Sequence, residues 1–173
     1  ADSPAILLIM GLGAQLGRWP QELCDALVDR GFRVIRFDNR DCGLSSKLDD
    51  AGIPAIGRFL RTGEPLDVPY TLADMAADSI GLLDALSIER AHIVGASLGG
   101  AVAQLIAARY PQRVCSLTCL MSTSSHPDLP PPTPAASQAL FAPLPAERDK
   151  ASLIEDALRR QLAVSSPAYP GNG

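Results

Sequence analysis

The stretch that decides the fold is AHIVGASLGGAVAQLIAA, residues 91–108. It opens with a short apolar run, which Gly95-Ala96-Ser97-Leu98-Gly99 interrupts. Small and apolar residues then continue to Tyr110-Pro111. A short run closed by glycine reads as a buried strand, and a dozen residues stopped before proline read as a helix. Ser97 stands between them in a G-x-S-x-G pattern, the context in which a serine is held exposed on a sharp strand-to-helix turn. Positions two before and two after it pass close together, so glycine at 95 and 99 avoids a Cβ clash. The new helix turns free N–H groups and a partial positive charge towards the serine, which favours an oxyanion there. No G-x-G-x-x-G fingerprint or Walker lysine accompanies the turn, which disfavours a nucleotide-binding loop.

Outward from this stretch, strands and helices alternate. Residues 6–10 (ILLIM) read as a strand buried on both faces, broken by Gly11-Leu12-Gly13. Pro20 opens a helix carrying Leu23, Leu27 and Val28. Residues 33–38 read as a second strand, followed by a turn-rich block to Ser46. Residues 47–70 lack periodicity, and one helical turn is expected near 56–60. Thr71 to Asp74 has the form of a capping box, opening a helix to about Leu86 with Leu72, Met75, Ile80, Leu83 and Leu86 on its apolar face. Residues 114–121 read as a fourth strand. Residues 122–134 hold five prolines and five Ser or Thr residues, the composition of a linker. Residues 146–164 read as an amphipathic helix with Leu153, Ile154, Ala157, Leu158 and Leu162 on one stripe. The expected fold is α/β: a doubly wound, mostly parallel sheet with flanking helices over residues 1–121, then a Pro-rich linker and partial helical cap over 122–173. In such sheets the ligand site lies at the carboxyl ends of the strands.

Composition narrows the function classes. The chain has 173 residues, 47% hydrophobic and 20% charged, which excludes a disordered, collagenous or coiled-coil protein. A net charge of −4 gives no footprint for nucleic acid. No apolar run approaches the ~20 residues of a bilayer span, so no membrane partner is expected. Cys24, Cys42, Cys115 and Cys119 match no disulfide or zinc spacing and are expected as reduced, buried packing residues, Cys42 alone being partly exposed. Reduced thiols point to the cytoplasm. No metal cluster or cofactor fingerprint is visible in the sequence.

The chain resembles the α/β-hydrolase superfamily in three blocks. Met10-Gly11-Leu12-Gly13 occupies the place of the family's His-Gly-x-Gly loop. The block from Asp38 to Ser45 (DNRDCGLS) is similar to its D-x-R-G-x-G-x-S turn, with Asp41 where glycine is usual. Gly95 to Gly99 matches its nucleophile elbow. The tract is similar to the cap-bearing esterase branch, including methylesterases that trim polyketide antibiotics. The resemblance implies Ser97 as nucleophile and the backbone N–H groups of Leu12 and Leu98 as the oxyanion hole. Asp38 and Arg40 read as turn and ion-pair residues.

A serine needs a base, and the family's triad runs Ser, acid, His along the chain. His92 precedes Ser97 at the far end of its strand, ~13–16 Å away at strand rise, and reads as structural. His126 follows Ser97, but no Asp or Glu lies between Leu98 and Ser125, so it reads as a loop or cap residue. The acid and histidine are therefore expected outside this segment, with the chain as the middle of a longer enzyme trimmed at both ends. A homodimer, or a second segment completing the sheet, would then cover the fourth strand's edge. The expected activity is cleavage of a small hydrophobic ester through an acyl-enzyme on Ser97. Other serine-dependent reactions of the fold (amide, thioester or C–C hydrolysis, perhydrolysis) and a non-catalytic ligand-binding role remain open alternatives.

Overall fold

Four parallel strands form one sheet in the computed structural model, which describes residues 3–52, 64, 67–126, 128–141, 145, 147, 149–166 and 168. They are β1 (Ala5–Ile9), β2 (Arg33–Arg36), β3 (Ala91–Ala96) and β4 (Val114–Leu120), in the spatial order β2-β1-β3-β4. The central strand β1 pairs on both edges: Ile6 lies opposite Val34 of β2 and His92 of β3. From β1 the chain steps outward to β2, then returns to the other side for β3 and β4. The winding reverses there, so the loops after β1 and β3 flank the crevice in which such sheets bind ligands.

Every residue of β1 is buried, as its unbroken apolar run requires. Alternate side chains divide between two cores. Leu7 and Ile9 join Ile93, Leu83 and Ile106 on one face. Ile6, Leu8 and Met10 join Trp19, Cys24 and Ala96 on the other. The second core is covered by α1 (Gln21–Val28), and the first by α2 (Leu72–Ala85) and α3 (Leu98–Arg109). The expected capping box forms at α2: the Thr71 side chain accepts the Asp74 N–H, and the Asp74 carboxylate accepts the Thr71 N–H at 2.7 Å. The α/β reading therefore holds, with the parallel sheet and flanking helices in place.

The chain divides into two compact units, Ala1–Ser125 and His126–Gly173. The second holds α4 (Pro134–Phe141), which no periodicity had announced, and α5 (Lys150–Val164). The expected helix over 146–164 begins only at Lys150 because Asp149 caps it, accepting the Ser152 N–H at 2.8 Å. Its leucine stripe is exposed, and the buried residue is Asp156, bound by Arg159 and Arg160. Arg160 also donates to the Ala139 carbonyl of α4, so a charged cluster joins this helix pair.

Two further expectations are corrected. Cys115 and Cys119 are exposed on the edge strand β4, although Cys119 Sγ still reaches the Gly100 carbonyl of α3 at 3.8 Å. Cys24 is buried as expected and Cys42 is partly exposed. In α1, Leu23 and Val28 are exposed, and the helix meets the sheet through Cys24 and Leu27. The helical turn expected near 56–60 lies outside the described residues. No helix among the described residues is long and apolar enough to cross a membrane.

Candidate active site

Ser97 occupies the junction of β3 and α3 with φ 53° and ψ −119°. That is the left-handed half of backbone space, costly for a residue with a Cβ by ~1–3 kcal/mol. The surroundings hold it there. The Ser97 N–H donates to the Leu120 carbonyl of β4 at 2.8 Å, and the Ser97 carbonyl accepts the Gly100 N–H at 2.9 Å. The side chain is exposed at the carboxyl edge of the sheet.

The flanking glycines are close-approach positions. A Cβ on Gly95 would overlap the Gly99 carbonyl and stand 2.6 Å from the Gly100 nitrogen. A Cβ on Gly99 would overlap the end of β1, 2.8 Å from the Met10 carbonyl oxygen. The elbow is thus packed directly on the start of the loop after β1. That loop returns the contact: a Cβ on Gly11 would lie 3.1 Å from the Ser97 Cβ and 3.6 Å from its Oγ. Leu12 follows, its side chain 78% exposed. Leu98 is the first residue of α3, where backbone N–H groups have no partner within the helix. Serine hydroxyl, loop backbone and helix N-terminus therefore share one edge of the sheet.

Two residues that the sequence reading left as turn chemistry secure this edge. Asn39, 7% exposed, donates its side-chain N–H to the Met10 carbonyl at 2.9 Å, tying the turn after β2 to the loop over Ser97. Asp38 accepts the N–H groups of Leu16 at 2.6 Å and Leu44 at 3.0 Å. These donors hold its carboxyl below the usual carboxylate range, the Leu16 N–H first and then the Leu44 N–H. Arg40 forms the expected ion pair, with Asp78. Asp41, standing where glycine is usual, has φ 65°, which explains the family's preference. Its carboxylate compensates by accepting the Leu48 N–H at 2.7 Å. The signal for Asn39 was its place: a polar residue just past a strand adjacent to β1.

Each histidine has partners of its own. His92 lies at the opposite end of β3, its Nδ1 2.8 Å from Ser116 Oγ and its ring edge-on to Phe32. His126 belongs to the second unit, where its Nδ1 is 3.5 Å from the Asp128 carboxylate and accepts the Asp128 N–H.

Comparison with known proteins adds to this geometry. The profile of the alpha/beta hydrolase fold matches residues 4–165. The chain is similar to rhodomycin D methylesterase DnrP of Streptomyces peucetius, 37% identical over 121 residues, covering 70% of this chain and 35% of that protein. It is also similar to a putative carbamate hydrolase, RutD of Variovorax paradoxus, 38% identical over 128 residues, covering 74% of this chain and 41% of that protein. The chain thus spans well under half the length of these curated relatives. Among solved structures it resembles a hydrolase from Pseudomonas aeruginosa PA01, with TM-score 0.60 and 28% identity, covering 97% of this chain and 56% of that one.

Proposed function

The chain belongs to the alpha/beta hydrolase fold family, and from that premise we propose that it carries the nucleophile of a serine hydrolase that cleaves carboxylic esters. The observation that carries the reading is Ser97 itself: exposed, at positive φ, on a strand-to-helix turn with the Gly11 backbone packed against it. In the reaction, Ser97 Oγ attacks the ester carbonyl carbon as a base takes its proton. Negative charge moves to the carbonyl oxygen, where the N–H groups of Leu12 and Leu98 receive it. The C–O bond to the alcohol then breaks and the alcohol leaves with a proton. Water hydrolyses the acyl-enzyme by the same steps. We place the base and its acid partner in sequence outside these 173 residues, in keeping with the fraction of the relatives that the chain spans. The apolar lining near Ser97, including Leu12 and Leu98, favours a small hydrophobic ester.

The carbamate-hydrolase relatives favour a second reading, in which the attacked carbonyl is a carbamate. Both are tested on the natural full-length protein. A fluorophosphonate should label Ser97, and Ser97→Ala should abolish both labelling and turnover. A protein that hydrolyses esters without labelling at Ser97 would overturn the assignment. Relative kcat/KM on an ester and a carbamate of the same alcohol separates the two readings.

A further inference from the structure

Beside Ser97 the sheet edge opens into a cavity of about 610 Å3. Leu12 of the loop after β1 and Leu98 line it together with Val68, Leu72 and Met75. Tyr70 is the one aromatic side chain in this lining among the described residues.

Two features hold Tyr70 in place. Its backbone runs directly into the capping box at Thr71, which fixes the chain at its exit. Its ring lies under the Arg40 guanidinium, Cζ being 5.2 Å from the ring centre. Arg40 is itself immobilised, donating Nε to one Asp78 oxygen at 2.6 Å and Nη2 to the other at 2.7 Å. The two-point pairing fixes the orientation of the guanidinium, and the guanidinium in turn holds the ring. Burial, and then the neighbouring Asp41 carboxylate, push the Tyr70 phenol above its usual value, so the ring stays neutral across the working pH range. Arg40, Asp41 and Cys42 line the same cavity. Nothing in the ester-cleaving chemistry requires an aromatic ring at this place. A ring braced by a clamped cation has the properties of a fixed wall.

We propose that Tyr70 is a specificity-determining residue whose ring limits the size of the larger apolar group of the ester, and that Arg40 is a positioning residue acting through that ring. The proposal rests on the reading of Ser97 as nucleophile. Its test uses the natural full-length protein and two series of p-nitrophenyl and alkyl esters. In one the acyl group grows from acetyl to a branched medium-chain acyl. In the other the alcohol grows in the same way. The measured quantity is the ratio of kcat/KM for the bulkiest to the smallest member of each series. Labelling of Ser97 by a small fluorophosphonate is followed in parallel.

Tyr70→Ala should raise the ratio in one series by at least ~10-fold, the scale of a few carbons' worth of space in an apolar pocket. Tyr70→Trp should lower it by a similar factor, and this variant decides the matter if Tyr70→Ala does not fold. Tyr70→Phe keeps the ring and should keep the ratio. Arg40→Met, by freeing the ring, should move the ratio in the direction of Tyr70→Ala through KM with kcat held, which a general loss of folded protein would not produce. Ratios within twofold of the parent in both series, for a Tyr70→Ala or Tyr70→Trp protein that still labels at Ser97, overturn the proposal and leave the nucleophile assignment standing. A parent protein that does not label at Ser97 overturns that assignment instead.

Discussion

Gly99→Ala is expected to damage stability and chemistry together, because its Cβ would have nowhere to go. The built Cβ overlaps the Ile9 carbonyl, lies 2.7 Å from the Ile9 carbonyl carbon and 2.8 Å from the Met10 oxygen. All three are main-chain atoms of the central strand and the loop that leaves it. No side-chain rotation relieves the overlap. Either the start of α3 or the end of β1 must move, by roughly 1 Å or more at the Ile9 oxygen, to reach ordinary contact. Overpacking costs ~1–3 kcal/mol where side chains can give, and a backbone-on-backbone clash belongs at or above the top of that range. At ~2–4 °C per kcal/mol for a protein of this size, ~3 kcal/mol lowers the melting temperature by roughly 6–12 °C. The same displacement shifts the loop carrying the Leu12 N–H relative to Ser97. A misplacement approaching 1 Å can cost ~100-fold in rate, so fluorophosphonate labelling should slow by one to two orders of magnitude. Gly81→Ala is the matched control. Gly81 sits exposed within α2 with open space where a Cβ would go. There the substitution should stabilise by ~0.5–1 kcal/mol, through helix propensity and a less entropic unfolded chain. Thermal unfolding and single-turnover labelling of the two variants give opposite signs on this reasoning. A Gly99→Ala protein that melts within about 2 °C of the parent and labels at the parental rate would refute it.

Other outcomes follow from the same geometry. Ser97→Gly should raise the denaturation midpoint by ~1–2 kcal/mol in stability, since glycine accepts φ 53° without strain, while Ser97→Ala should not; denaturant titration distinguishes them. Ile93→Ala, which empties a fully buried position in β3, should cost ~2–5 kcal/mol by the same measurement. Asp38 has its folded-state pKa lowered by backbone donors, so its contribution to stability is present above the unfolded value of ~3.9 and is lost as pH falls through the lower folded value. Asp38→Asn should therefore melt below the parent at pH 7, and the gap should narrow as melting is measured below about pH 4.

The parts of the fold that could be read in the sequence are those governed by local chemistry. β1 is legible because a strand buried on both faces must be apolar throughout, and ILLIM is. The α2 start is legible because Thr71 and Asp74 meet their partners within one turn. The G-x-S-x-G turn is legible because Gly95 is crowded by Gly99 and Gly100, only four and five positions along the chain. The misread parts depend on neighbours far along the chain or absent from a strand's side. Val114–Leu120 has the sequence of a covered strand, yet among the described residues it stands at the edge of the sheet and Cys115 and Cys119 are exposed. The leucines of α5 outline a stripe, but Asp156 with its two arginines is the buried group, and Arg160 carries a link from α5 to the Ala139 carbonyl of α4. Asp41 looked like a turn variant, and the positive φ it adopts and its place in the cavity appear only in three dimensions.

The sequence by itself determined that a strand, a serine and a helix follow one another on a strained turn, and that this turn belongs to a parallel α/β sheet. Periodicity, glycine spacing and caps act over a few residues, and a few residues suffice to read them. Tertiary structure alone decided what stands around the serine. Sheet order puts β1 next to β3, so Gly11 packs on Ser97 across 86 positions of chain. Asn39 then locks that loop from β2, and Arg40, clamped to Asp78 of α2, braces the Tyr70 ring. These contacts join segments tens of residues apart, and chain separation leaves no periodic trace of them; only the order in which the strands assemble brings them together.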